Sequence, residues 1–402
     1  MRPMAATPDA PVLAADAAGA PRRTDGRGLR AALLIAASLT VMSGATISPG
    51  LPGMRAHFGG APGADLLVRL VLTMPALFIA LCAPFAGLVI ERAGRLPTLV
   101  AGALLYAAAG TAGLWVDSLG ALLASRALLG LSVAAVMTTA TTLIGDYFAG
   151  PERARFLGVQ SAFMGLGGLV FITGGGLAAE IGWRAPFAIY LAALAVPLLA
   201  RAYLFEPRAP RAAPGAVPEA LPAGVGTVLW SGFVTMTAFY LVPVQLPFLL
   251  VRDLDLPDPW VAGVALGLAT LTSSLTSLNY ARVASGWSFA RVRAVAWALM
   301  AAAFAVLWAA GGLLAVLLAM VLLGVGLGLV FPALTTTMLA LVPESRRGRM
   351  AGMLTASVFL GQFVSPLVSQ PLSAIGLHGL YGLAALALGG LAAAVALRAA
   401  RG

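Results

Sequence analysis

The chain contains no lysine, a single cysteine, two histidines and few carboxylates, and each scarcity closes off a class of chemistry. A lone Cys82 cannot form an intrachain disulfide. His57 lies outside the long apolar runs and His378 at the loop edge of the last one, so no run supplies a histidine within the bilayer to activate a serine or cysteine or to join a metal-ligand cluster. Charged residues make up 10% of the 402 positions against 60% hydrophobic, more apolar surface than a soluble domain of this length could bury. All 25 basic residues are arginines scattered over many short hydrophilic breaks, so the net charge of +10 forms no single basic face and nucleic-acid binding is disfavoured. No catalytic residues, metal or cofactor are expected.

What the chain has in abundance is apolar runs of membrane-crossing length, roughly 17 to 25 residues each. They lie near 31–52, 66–90, 97–116, 119–144, 156–179 and 186–205, and again near 225–251, 259–281, 293–311, 314–341, 351–373 and 377–398. The expected fold is an all-α integral membrane protein, twelve transmembrane helices in two pseudo-symmetric six-helix bundles. Residues 1–30 read as a disordered cytoplasmic tail, 31–205 and 225–398 as the bundles, 206–224 as a Pro- and Ala-rich cytoplasmic linker, and 399–402 as a second tail.

Arginine sets the orientation, because short loops rich in basic residues stay on the cytoplasmic side. With the N-terminus inside, Arg55, Arg184 and Arg252 face out, Arg69 and Arg126 lie within spans, and the remaining 20 of the 25 are cytoplasmic. The expected setting is a bacterial-type plasma membrane, multi-pass, with both termini inside.

An internal repeat runs at a fixed offset of 194 residues, the separation of Leu128-Leu129-Gly130 from Leu322-Leu323-Gly324. At the same offset Thr141-Thr142 meets Thr335-Thr336, and Arg153, Arg155, Gly158 and Gly167 meet Arg347, Arg349, Gly352 and Gly361. An offset of six spans preserves sidedness, so the halves are parallel repeats about an axis along the membrane normal. Two such bundles can rock around a midplane cavity.

Between the second and third spans stand Gly87, Glu91, Arg92, Gly94 and Arg95, followed by Leu96-Pro97. This resembles the cytoplasmic signature of the major facilitator superfamily, with Glu91 where aspartate is usual. Leu122 to Gly130, with Arg126 four residues before Gly130, is similar to that family's fourth-helix motif. Gly174-Gly175-Gly176 and Trp183-Arg184 resemble its drug-exporter branch, as does Ser48-Pro49-Gly50-Leu51-Pro52, where proline is expected to kink the helix end. The branch's Gly-Pro before the glycines is Phe171-Ile172 here. The resemblance implies alternating access, with Gly87, Glu91, Arg92, Gly94, Arg95, Gly130, Asp146, Arg153 and Arg155 as the conformational switch.

Arg126 should lie on the order of 10 Å below the external surface. An ionisable residue at that depth is a functional candidate by default, whereas Arg69, nearer its span's outer end, can snorkel outward. The candidate solute-binding set is Arg126, Thr138, Thr142, Tyr240, Gln245, Asn279 and Gln362. Arg126 without an embedded carboxylate would favour neutral or anionic solutes. Every acid lies in a tail, loop or span end, so proton coupling stays open, with Asp146, Glu91, Asp65 and Glu180 as its candidate carriers.

The reading is a monomeric secondary transporter of a small organic solute in a lipid bilayer, an exporter of drugs or metabolites. Uptake or facilitated diffusion of a neutral or anionic metabolite, and a non-transporting sensor, remain alternatives. Impermeant labelling of cysteines placed beside Glu91 and Arg347 tests the topology. Both should react from the same side, and reaction from opposite sides would remove the parallel repeat.

Overall fold

The computed structural model describes residues 13–15, 21–23, 26–207, 222–343 and 346–401. The bulk of the expected linker, 208–221, and residues 1–12, 16–20, 24–25 and 402 of the expected tails lie outside the described residues. Within the N-terminal tail, β1 (Leu13–Ala15) pairs antiparallel with β2 (Pro21–Arg23), Leu13 opposite Arg23.

The helices of the N-terminal half are α1 (Arg27–Met42), α2 (Leu51–His57), α3 (Ala64–Ala93), α4 (Arg95–Thr111), α5 (Leu119–Tyr147), α6 (Gly150–Ala179) and α7 (Ala195–Tyr203). Those of the C-terminal half are α8 (Val225–Arg252), α9 (Pro259–Leu278), the short α10 (Tyr280–Val283), α11 (Phe289–Trp308), α12 (Leu313–Leu341), α13 (Arg347–Leu372) and α14 (Leu377–Arg401). A 3₁₀ stretch, Ala185–Leu194, leads straight into α7 to complete one span, Ala185–Tyr203. Among the described residues eleven helices are long and apolar enough to cross a membrane, and the number is twelve when the pair Arg27–Met42 with Ala45–His57, bent by 41°, is taken as one span. One end of the bundle carries the α3–α4 turn with Arg92 and Arg95 and is called the basic end. The other carries the α8–α9 loop with Asp253, Asp255 and Asp258 and is called the acidic end.

Local signals start and stop these helices. Ser118 caps α5 by accepting from the Ala121 amide at 3.4 Å, and Ser288 caps α11 through Arg291 N at 3.2 Å. Between α3 and α4 the chain reverses on one residue, Gly94 at φ 90°, a conformation that other side chains rarely adopt. The first span breaks at Ser43–Gly44, upstream of the proline expected to kink it. Pro49 has no N–H and its ring crowds the carbonyl four residues back. The ladder therefore fails in the preceding turn, and Ala45–Gly50 winds as a 3₁₀ stretch instead.

Two prolines inside other helices free carbonyls in the same way, and neighbouring helices supply the new partners. Pro247 removes the intrahelical partner of the Pro243 carbonyl in α8, which instead accepts from Ser48 Oγ of the other half. Pro332 does the same to Gly328 in α12, whose oxygen accepts from Ser277 Oγ of α9 at 3.0 Å.

Each half is a bundle of its own: α5 packs on α1, α3 and α4, and α12 on α8, α9 and α11. The halves meet along two antiparallel crossings, α6 with α9 and α3 with α13, and through the Ala45–Gly50 stretch, which lies against α8 and α9. At the acidic end the α6–α9 crossing is backbone on backbone: a Cβ at Gly176 would stand 2.8 Å from Gly263 Cα. Towards mid-bundle Gly168 lies against Thr270 and Gly165 against Ser274. Nearer the basic end contact is lost. Gly87 of α3, Gly158 of α6 and Gly352 of α13 face open space.

Gly176→Ala should therefore lower the thermal midpoint, with overpacking costing about 1–3 kcal/mol, whereas Gly158→Ala should leave it within experimental error. Equal effects in a thermal-shift assay would contradict a bundle closed at one end only.

Candidate functional site

At the acidic end the two halves are clasped by polar groups from three helices. Arg69, five residues into α3, keeps only 2% of its surface exposed. Its Nε donates to Gln245 Oε1 of α8 at 3.0 Å, and Gln245 Nε2 donates on to Ser369 Oγ of α13 at 2.9 Å. The guanidinium stacks over Phe248 at 4.1 Å and donates from Nη1 to the Asp65 carbonyl at 2.6 Å. The Asp65 carboxylate belongs mainly to Arg55, at 2.7 and 3.1 Å, and stands 4.0 Å from Arg69. Arg69 is thus held across the interface and does not snorkel outward, because α8 and α13 cover the route. Under the offset of 194 residues Arg69 corresponds to Gly263 and Ser369 to Gly175, so equivalent places at the acidic end are closed by glycines in one crossing and by this clasp in the other.

Further bonds seal the same end. Ser48 reaches the Pro243 carbonyl, and Glu180, at the end of α6, accepts from the Trp260 amide in the first turn of α9 at 3.0 Å. Tyr240 comes from α8 to the break in the first span, its hydroxyl 3.0 Å from where a Gly44 Cβ would lie. Gln362 sits beside Tyr240 and is 4% exposed.

Towards the basic end the halves part and leave a cleft. Thr335 and Thr336 of α12 and Thr141 of α5 are exposed, and Thr138 and Thr142 are half-buried. Their hydroxyls bond back along their own helices, Thr142 to the Thr138 carbonyl at 2.9 Å and Thr336 to the Pro332 carbonyl at 2.8 Å. Each oxygen keeps lone-pair capacity for a solute or water.

Three members of the sequence-derived binding set stand elsewhere in this conformation. Arg126 is fully buried inside the N-terminal half, donating to the carbonyls of Ala109 and Gly110 at 2.8 and 2.6 Å and lying over the rings of Phe187 and Tyr190. The residue faces α4 and the Ala185–Leu194 stretch, not the cleft. Gln245 is in the clasp. Asn279 caps α9 at the basic end, its side chain on the Leu275 carbonyl and on Arg282, because α9 stops at Leu278, short of the expected boundary.

Apart from Gly130, which lies nearer the middle of α5, the residues expected to form the switch stand at the basic end. Arg95 Nε reaches Asp146 Oδ2 at 3.2 Å, tying the α3–α4 turn to the end of α5. Arg153 lies over Gly145, and Arg155 shares a groove with Arg30 and Glu152, which are paired at 2.7 Å. Glu91 and Arg92 are exposed beside the unfilled space at Gly87. Gly130 lets α5 approach α3 so closely that a Cβ would strike the Pro75 carbonyl oxygen. Sequence reasoning missed Glu206, whose carboxylate accepts from the amides of Arg95 and Leu96 at 2.6 and 2.8 Å and so caps α4 from beyond α7. Its position 111 residues from Arg95 offered no local signal. Among the described residues no group of His, Cys, Asp and Glu could hold a metal ion.

Comparison with known proteins agrees with this architecture. The family profile described as Major Facilitator Superfamily matches residues 33–366. The chain is 34% identical over 146 residues to the tetracycline resistance protein, class C, of Escherichia coli, 35% of each chain. It is 27% identical over 160 residues to the multidrug transporter protein MdtP of Bacillus subtilis (strain 168), 40% of this chain and 29% of that one. The match thus spans about a third of the length of these relatives. The solved structure of the human organic anion transporter MFSD10 (TETRAN) superposes with a TM-score of 0.67 at 18% identity, over 92% of this chain and 99% of that one, a likeness of fold.

Gln245→Leu should loosen the acidic end, since a buried Nε–H left without its acceptor costs about 1–3 kcal/mol. Spin labels at Asp117 and Asp253, one on each half, should gain a longer distance component in the variant. An unchanged distribution would show that the clasp does not hold the halves together.

Proposed function

The chain belongs to the major facilitator superfamily of membrane transporters, and we propose that it carries a small organic solute by alternating access and works as an exporter. The observation that carries the reading is the contrast between the two ends. The acidic end is sealed by interlocked backbone and the Arg69–Gln245–Ser369 clasp, while Gly87, Gly158 and Gly352 face open space at the basic end. That is one of the two end states a rocking pair of bundles must visit. With arginine placing the basic end in the cytoplasm, the cleft in this state loads from inside.

Export is supported by the names of the two relatives, a tetracycline resistance protein and a multidrug transporter. Solute contacts are assigned to Thr138, Thr142, Tyr240 and Gln362, all uncharged. With Arg126 withdrawn into the N-terminal half, the basis for an anion preference is gone, and a neutral, mainly apolar solute is the better match. In the opposite state the basic end closes, and Gly87 becomes the point where α3 meets its neighbour while Glu91, Arg92 and Arg95 exchange partners with the other half. Three of the four candidate proton carriers are tied up here, Asp65 with Arg55, Asp146 with Arg95 and Glu180 with the α9 amide, so proton exchange through any of these requires its pairing to break during the cycle, whereas Glu91 is exposed.

Purified protein in liposomes, offered tetracycline and a panel of neutral lipophilic compounds with and without a pH gradient, should show flux above empty liposomes. Gly87→Leu should slow flux several-fold while leaving solute binding intact. Binding without flux for every compound would favour a sensor, and equal loss of binding and flux in the variant would remove Gly87 from the switch.

A further inference from the structure

On the outer surface of the C-terminal half, at its basic end, α8, α11 and α14 frame a cleft of about 650 Å³. Its head is cationic. Arg293 of α11 and Arg398 of α14 both line it, and among the described residues no carboxylate does. Arg293 donates from Nη1 to Ser231 Oγ at 2.9 Å and lies over the rings of Phe289 and Trp297, both at 5.4 Å, while its Nε is buried with no hydrogen-bond partner. The other charged side chain lining the cleft is itself a cation, Arg398. The first turns of α8 and α11 also open onto the cleft through Gly226, Thr227 and Ala290, and neither first turn contains an acid. Two helix N-termini add further positive potential to the two guanidinium groups.

The rest of the cleft is apolar and faces where lipid must be. Leu391 and Val395 of α14 form one wall, and Trp230 of α8, 56% exposed, stands beside them. Tryptophan at this depth is the usual companion of the headgroup level. Like charges converging on one cleft without an acid are stabilised by an anion, and apolar walls running on towards the membrane interior favour an anion that carries acyl chains.

We propose that this cleft holds the headgroup of an anionic phospholipid, its phosphate between Arg293 and Arg398 and a chain along Trp230 and Val395. The lipid would bridge α8, whose far end bears Gln245 and Pro243, to α11 and α14, and so brace the helix on which the acidic-end clasp is built. The site does not depend on which solute is carried or in which direction. Its arginines have no counterparts in the N-terminal half, where the offset of 194 residues puts Leu99 and Leu204.

Native mass spectrometry of the intact protein, released from detergent with phosphatidylglycerol or with phosphatidylcholine of the same chain length, tests the assignment. One phosphatidylglycerol should be retained in preference. Arg293→Gln combined with Arg398→Gln should weaken that retention on the order of tenfold, while Arg201→Gln, at the same end on α7, should not. Arg293→Gln also cuts the bond to Ser231, so Arg398→Gln alone, an exposed position, carries the test if the pair does not fold. Equal retention of phosphatidylcholine, or no change in the variants, would overturn the proposal. Full displacement by millimolar inorganic phosphate would overturn it too, by assigning the cleft to a soluble anion.

Discussion

Inside a bilayer no water is at hand for a broken helix, so every backbone group that loses its ladder partner must find another within the protein. This constraint organises the interface between the halves. Prolines in α8 and α12 release carbonyls at Pro243 and Gly328, and serines on neighbouring helices take them up. In α8 the serine comes from the other half, so a defect in one helix becomes a bond across the seam. The break at Ser43–Gly44 follows from Pro49 in the same way and swings Ala45–Gly50 against α8 and α9.

The two crossings seal the same end by different means. Gly176 and Gly263 bring backbones into van der Waals contact, which works through dispersion and tolerates little change of shape. Arg69, Gln245 and Ser369 instead hold a buried charge by neutral hydrogen-bond partners and an aromatic face, with the Asp65 carboxylate 4.0 Å away. A guanidinium so placed gains little from being enclosed, because its desolvation opposes its hydrogen bonds. Opening the acidic end would return it to water. The crossing through Arg69 is therefore the more readily reversible of the two, and the glycine crossing the more rigid.

Much of the fold was legible because lipid demands long uninterrupted apolar runs, which survive in one dimension. The spans and the charged turn from Gly87 to Arg95 have local signatures. The candidate solute site was less legible. Polar residues in spans look alike in sequence whether they face a cleft, a neighbour or a carbonyl. Arg126 turns into its own half, Gln245 into the clasp, and Asn279 ends a helix that stops early. Glu206 had no signature because its partners are the amides of a helix start more than a hundred residues away.

The amino-acid sequence by itself determined an all-helical membrane chain, its spans, its repeat and its family, since hydrophobic length and motif spacing are properties of neighbouring residues. Only the tertiary structure decided which end is sealed, which arginine spans the seam and where cations converge on the lipid-facing surface. Those depend on the angle between two bundles and on the rotation of each helix about its axis, quantities set by packing between residues far apart in the chain.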